Sequence, residues 1–319
     1  MIFIAGPTGS GKTSVSIGLA RKIKNAEIIS ADSRQIYKHL SVGTAKPAGK
    51  WVNIEGYRAF IYENIPHHLI DIIEPTEFFS AGDFVELSNE AAAETKKRNN
   101  IPIFVGGTGL YIDSFIDGIA KLPQKNEQIR KELYELEKKE GRAYLHNKLK
   151  EVDPESAVNI HPNNIHRIIR ALEVYHITGS PISIWHEKHK KSLKSKYEKH
   201  TIFALNWDRK ILYDRINQRV EGMLENGMIE ETEKILTKNP AIVNSPALKS
   251  LGYKYVVDFL NKTINFEQMK SLIQQVTRNY AKRQLTWFNK NKDINWINCD
   301  NLEIGEITEI LWKKSLQSE

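Results

Sequence analysis

Cysteine is nearly absent from this sequence. Cys299 stands alone among 319 residues, which excludes an internal disulfide and any cysteine-built metal site. A stapled secreted scaffold and a zinc finger are therefore ruled out. No run approaches the roughly 18 consecutive apolar residues of a membrane span. Met1 passes straight into Ile2-Phe3-Ile4-Ala5 without a basic, cleavable leader. Internal repeats and low-complexity tracts are also missing, and glycine and proline stand singly at punctuation points. These absences predict an ordered, soluble chain of a reducing cytoplasm, with no membrane association. The length exceeds what one compact core accommodates, so a large and a smaller domain are expected.

What is present begins with charge. There are 46 Lys and Arg against 39 acids, a net of +7. Such an excess makes a phosphate-rich partner plausible where it is clustered. The densest cluster, His186 to His200, carries six lysines against Glu187 and Glu198, with no periodic apolar face. It fits a nucleic-acid contact or an ordinary solvated loop.

The first 118 residues alternate strand-like and helix-like patterns: Ile2 to Ala5, a helix from Lys12, the run Glu27 to Asp32, a helix near Phe84 to Arg98, and the strand Ile101 to Val105. This alternation predicts a parallel sheet with crossover helices. From Glu127 to Leu149 the pattern turns helical and heavily charged. A further helix is expected after Asn163-Asn164, a capping pair, ending at Gly179. Thr201 to Leu205 reads as another strand, with helices over Asp208 to Glu225 and Phe266 to Phe288. The expected organisation is an α/β core of residues 1–118 and 201–319, with a helical insertion over 119–200.

The sharpest local pattern is Gly6-Pro7-Thr8-Gly9-Ser10-Gly11-Lys12-Thr13, which satisfies G-x-x-x-x-G-K-[ST] between an apolar strand and an amphipathic helix. Glycines let backbone N–H groups turn around an anion, and the helix start adds its positive dipole end. Lys12 supplies a point charge and Thr13 a hydroxyl for Mg²⁺. Polyphosphate binding on a P-loop NTPase-like α/β fold follows. Nucleotide hydrolysis would further require an acid at the end of a second strand. Ile101 to Val105 instead runs into Gly106-Gly107-Thr108, and Asn289-Lys290-Asn291-Lys292 misses the guanine-reading pattern. A polyphosphate that departs as a leaving group needs the same cradle without that acid.

Asp32 lies just past the carboxyl end of the second expected strand, the edge where open α/β sheets place ligands. It serves a site there or caps a following helix. The wider ensemble is more specific: GPTGSGKT, SADSRQIYKHLSVGTAKP from Ser30, PHHLIDI from Pro66, VGGTGLY from Val105, HPNNIHRIIRALEVY from His161 and AKRQLTWF from Ala281. Together these closely resemble the tRNA dimethylallyltransferase family, collinearly from the first strand to Phe288. Only the last thirty or so residues stay uninformative.

The resemblance implies transfer of a dimethylallyl group from its diphosphate to the exocyclic amine of the adenosine 3′ to a tRNA anticodon. The phosphate loop then hydrolyses no nucleotide. It places the catalytic aspartate at Asp32, where a carboxylate can take a proton from a poorly nucleophilic amine. It also sets Asp32, Ser33, Arg34 and Gln35 against the adenosine. The loop from Gly6 through Thr8, Gly9, Ser10, Gly11, Lys12 and Thr13 binds diphosphate, with Mg²⁺ on Thr13. Arg215 and Arg219 fall one helical turn apart, and the family pattern assigns the second to the leaving diphosphate. On residue pattern alone both are equally solvated helix-face charges. The target base leaves its stack and enters a channel lined by Thr108. The anticodon stem-loop is met by His166, Arg167, Arg170, Lys254, Lys282, Arg283 and Gln284, while Met269, Ile273, Val276 and Tyr280 follow helical spacing as packing residues.

The chain departs from the family at two of these positions. His166 stands where glutamine is frequent, and Lys254 replaces an arginine, keeping charge but losing the bidentate fork. Gly49 to Ile65 reads as an added hairpin around Gly56. His186-Glu187-Lys188-His189 is one residue short of a zinc hydrolase pattern and lacks a third ligand. A zinc-finger extension is not expected, so the bacterial type of enzyme, acting as a monomer, fits best. A P-loop small-molecule kinase is the competing class; it explains the loop and Asp32 but not the basic helices.

Overall fold

The structure is a computed structural model. It describes residues 1–54, 56–192, 200–249 and 252–316, with 190–192 described by backbone only. The chain divides into two compact units, one formed by Met1–Ile116 with Tyr197–Glu319 and the other by Asp117–Lys196.

The first unit is built on an eight-stranded sheet. In chain order its elements are β1 (Ile2–Ala5), α1 (Lys12–Ile23), β2 (Ala26–Ser30), β3 (Lys50–Ile54), β4 (Tyr57–Tyr62), β5 (Ile65–His68), α2 (Ala81–Lys97), β6 (Ile101–Val105) and α3 (Gly109–Ile116). The strands stand in the order β3-β4-β5-β2-β6-β1, continued by β7 (Thr201–Asn206) and β8 (Ile294–Asn298). All neighbours from β5 to β8 are parallel. The expected hairpin forms as β3 and β4, and it joins β5 antiparallel, so the sheet is mixed at this edge rather than wholly parallel.

Side-chain alternation divides the core between the two faces of the sheet. Phe3 and Ala5 point into one cluster with Phe84, Phe104, Tyr111 and Phe115, from β6, α2 and α3. Ile4 points into the other with Val15, Leu19, Ile103 and Phe203, from α1, β6 and β7. Helix α2 begins with a capping box in which Ser80 and Asp83 satisfy each other's backbone amides.

The second unit is all helical: α4 (Glu127–Glu140), α5 (Arg142–Val152), α6 (Pro154–Asn159), α7 (Ile165–Thr178) and α8 (Ile182–Ser192). The helical stretch from Glu127 is broken at Gly141, whose φ of 86° suits glycine alone among ordinary residues. Asn164 caps α7 and Gly179 ends it in the left-handed conformation, as the sequence predicts. Glu173 on α7 is fully buried and bridges Arg130 and Arg170. The His186-to-Lys188 stretch belongs to α8 rather than to a loop; Lys194, Lys196 and Lys199 lie outside the described residues.

After β7 the first unit continues with α9 (Arg209–Glu225), α10 (Met228–Lys238), a 3₁₀ turn (Pro240–Asn244), α11 (Tyr253–Leu260) and α12 (Phe266–Phe288). It ends with β8 and α13 (Ile304–Leu316). A third cluster packs Val220, Met228, Tyr253 and Ile273 of these helices against Ile36, Tyr37 and Leu40. Among the described residues, no helix is long and apolar enough to cross a membrane.

Candidate active site

The glycine-rich turn follows β1 directly and ends as the N-cap of α1. Gly9 and Gly11 have φ of 80° and 89°, which a side chain at either position would strain. Two side chains from the β7–α9 region hold the outer side of this turn. Arg215 Nε donates to the Gly9 carbonyl at 3.0 Å, and Trp207 Nε1 donates to the Ser10 carbonyl at 3.0 Å. The Arg215 guanidinium lies 4.2 Å from the Trp207 ring centroid, so the two donors brace each other. Lys12 Nζ folds over the turn to donate to the Pro7 carbonyl at 2.7 Å.

Asp32 lies two residues beyond the end of β2, on the same edge of the sheet. No helix follows it. Its Oδ1 instead accepts the Arg34 and Gln35 amides at 2.8 and 3.3 Å, closing a turn. Neighbouring Gly106 is pressed against the backbone of Ala31, which brings the ends of β2 and β6 into direct contact. Burial lowers Lys12 to about 8, opposed by the Asp32 charge, and Arg219 is depressed by burial with Asp32 again acting against it. Asp32 is thus the acid whose charge favours the protonated form of both cations.

These residues line a cavity of about 540 Å³. Its polar lining includes Thr8, Lys12, Thr13, Asp32, Arg34 and Arg219, and its apolar lining includes Met223, Met228 and Ile273. Ser10 Oγ, Arg34 Nε and Arg219 Nε are buried with no protein partner, and the side chains of Arg34 and Arg219 line this cavity. Buried donors are ordinarily satisfied, so the two cavity-lining guanidinium orphans stand ready for an acceptor such as an oxyanion.

Other expected site residues are distributed as follows. Ser33 and Thr108 meet each other, Ser33 N donating to Thr108 Oγ1 at 3.0 Å. Gln35 spends its amide on the Thr44 and Ala45 carbonyls, forming cavity wall rather than an open reading edge. Gln284 lines the cavity from its buried side rather than standing on the surface with Lys282 and Arg283. It is buried, accepting the Thr8 amide at 2.8 Å and donating to the Gly107 carbonyl at 2.8 Å. Arg170 is likewise committed elsewhere, to Glu173 at 2.6 Å and the Pro123 carbonyl at 2.7 Å. His166 and Arg167 are exposed on α7, with His166 Nδ1 2.8 Å from the Tyr134 hydroxyl. Lys254, Lys282 and Arg283 are exposed on α11 and α12.

Three contributors escape sequence reading. Trp207 and Arg215 carry the loop's carbonyls, and Tyr280, expected as packing, lines the cavity. The Tyr280 phenol is raised by burial and by the Asp32 charge, and it hydrogen-bonds with Thr108. Its i, i+4 spacing from the core residues of α12 hid that position.

A glycine-rich anion loop at the carboxyl edge of a parallel sheet, with a carboxylate and orphaned guanidinium donors facing it, defines a P-loop NTPase-like α/β protein. Comparison with known proteins narrows the class: the family model described as IPP transferase matches residues 35–291, and one described as isopentenyl transferase matches residues 1–64. The chain belongs to the IPP transferase family. It is 43% identical over 312 residues to the tRNA dimethylallyltransferase of Halothermothrix orenii, covering 97% of this chain and 90% of that one. Among solved structures, the tRNA isopentenylpyrophosphate transferase of Bacillus halodurans is 35% identical, with a TM-score of 0.68, over 99% of this chain and 97% of that one. A eukaryotic dimethylallyltransferase acting on tRNA reaches a TM-score of 0.79 at 26% identity, over 100% of this chain and 80% of that one.

Proposed function

We propose that this chain transfers the dimethylallyl group from dimethylallyl diphosphate to the exocyclic N6 amine of the adenosine 3′-adjacent to the tRNA anticodon, releasing diphosphate. The observation that carries this reading is the cavity itself, lined by phosphate-loop residues, the orphaned Arg34 and Arg219 donors and Asp32. The N6 nitrogen bonds to C1 of the allyl group as the C1–O bond breaks, and its bonding electrons leave with the diphosphate. Asp32 takes the proton from N6. Lys12, Arg219 and the loop amides meet the charge that develops on the leaving oxygens.

Mg²⁺ suits the donors present. Thr13 and Asp32 offer hard oxygens at the cavity, and no group of three His, Cys, Asp or Glu able to hold a metal occurs among the described residues. Thr13 would hold the ion together with diphosphate oxygens and water, and the ion would neutralise phosphate charge. The exposed cations Arg167, Lys254, Lys282 and Arg283, with His166, serve the tRNA backbone and the anticodon loop.

The test is to incubate the protein with unmodified tRNA, Mg²⁺ and either dimethylallyl diphosphate or ATP, and to examine the anticodon-adjacent adenosine by mass spectrometry. A prenyl adduct formed with the allylic diphosphate alone is expected. No adduct, with ATP consumption stimulated by a small metabolite, would move the protein to the small-molecule kinases.

A further inference from the structure

We infer that Glu231, which does not line the cavity, is a positioning residue for the diphosphate end of the site, acting through the loop of residues 41–45. This rests on the diphosphate-binding part of the reading above. Glu231 projects from the first turn of α10, and its carboxylate collects four donors. Oε2 accepts the Ser41 and Val42 amides at 2.7 and 2.9 Å, and Oε1 accepts the Gly43 amide at 3.3 Å and the Tyr253 hydroxyl at 2.6 Å. Three successive backbone N–H groups on one carboxylate fix the course of the loop, because each is a charge-assisted bond.

What the loop does next gives this anchor its consequence. Thr44 Oγ1 donates back to the Leu40 carbonyl at 2.6 Å, closing the segment into a turn. Its Thr44 carbonyl accepts Arg219 Nη2 at 3.4 Å, and Arg219 Nε has no protein partner at all. The orientation of the buried guanidinium therefore depends on a carbonyl whose position Glu231 sets. Tyr253, held by the same carboxylate, packs against Gly43 so closely that a Cβ there would overlap its ring. One carboxylate thus fixes two neighbouring parts of the cavity wall.

Glu231→Gln keeps size and shape but sets an amide NH₂ against N–H and O–H donors, releasing part of the loop. Displacing a positioned group by about 1 Å can cost on the order of a hundredfold in rate. The variant is expected to bind inorganic diphosphate about tenfold more weakly by calorimetry and to raise KM for dimethylallyl diphosphate, with KM for tRNA unchanged. In an Arg219→Ala background the same substitution is expected to change diphosphate affinity less than twofold, since its effect runs through Arg219. A purely structural role predicts instead a lower melting temperature with diphosphate affinity within twofold of the parent, or losses that multiply fully with Arg219→Ala. Either result overturns the inference. Should Glu231→Gln not fold, Glu231→Asp, which keeps the charge but shortens the reach to the three amides, decides the matter. About threefold weaker diphosphate binding supports the inference and unchanged binding overturns it. A wild-type protein that binds diphosphate but prenylates no adenosine would instead overturn the proposed reaction, leaving this test intact.

Discussion

Gln284 reaches back across the chain to accept the Thr8 amide at 2.8 Å, tying the last third of α12 to the phosphate loop. Its amide nitrogen donates to Gly107 at the same time, so one side chain spans the ends of β1 and β6. Gln284→Ala leaves a buried N–H and a buried carbonyl without partners, at about 1–3 kcal/mol each. We expect a stability loss of about 2 kcal/mol or more in urea unfolding and a raised KM for the allylic diphosphate. A variant with parental stability and KM would show the bridge to be idle.

Removing the carboxylate should separate chemistry from binding. Asp32→Ala is expected to lower the transfer rate by about 10²- to 10⁴-fold, the usual contribution of a positioned base. Filter binding should find tRNA affinity largely kept. Full activity in this variant would remove Asp32 from the base role.

The Arg219→Ala variant removes a donor aimed at developing charge, for which losses of about 10²- to 10³-fold in kcat are typical. Arg219→Lys should recover only part of this, because the orphaned Nε and the Nη2 contact with Thr44 need the guanidinium fork. Single-turnover rates of the three proteins give the comparison.

Lys12 gives the site an alkaline limit. Burial brings it to about 8, so the free protein loses this positive charge as pH rises through that value. An anionic ligand favours the charged form and raises the pKa in the complex. The profile of kcat/KM for the allylic diphosphate should therefore fall above pH about 8, while kcat holds to higher pH. A flat kcat/KM between pH 7 and 9.5 would contradict this.

His67 on β5 should govern acid stability. Burial lowers it to about 4, and its Nδ1 faces the Ile65 carbonyl at 2.9 Å. The unfolded chain binds this proton near pH 6.5, so between 6.5 and 4 the unfolded state holds more protons and stability falls with acidification. From pH 7 to pH 5 the loss is about 2 kcal/mol. Urea midpoints of the protein and of His67→Gln should converge as the pH is lowered, and parallel curves would exclude the effect.

Legibility in the sequence followed the range of the interactions. The phosphate loop, β6 and α12 are set by local signals, and they appear where those signals place them: Ile101–Val105 and Phe266–Phe288 match residue for residue. Asp32 was readable because the edge of a parallel sheet is a predictable address. β5 was not, since Pro66, His67 and His68 are poor strand formers that pair through context. β8 and α13 fell beyond the informative motifs, and five residues of partial alternation do not identify an edge strand. Gln284 sits beside the exposed Lys282 and Arg283 and shares their polar character, so only its partners far along the chain disclose its burial. The Glu231 carboxylate is illegible for the same reason: its acceptor role depends on a loop some 190 positions earlier.

The contact of Gly106 with the Ala31 backbone bears on how this chain can vary. Most positions around the cavity tolerate some exchange because a neighbouring side chain can rotate away. Peptide atoms held in a sheet have no such freedom. A saturation library selected for prenylation should accordingly leave position 106 with glycine alone, even alanine being depleted, while Gly305, whose added Cβ meets nothing and whose φ is ordinary, should accept alanine.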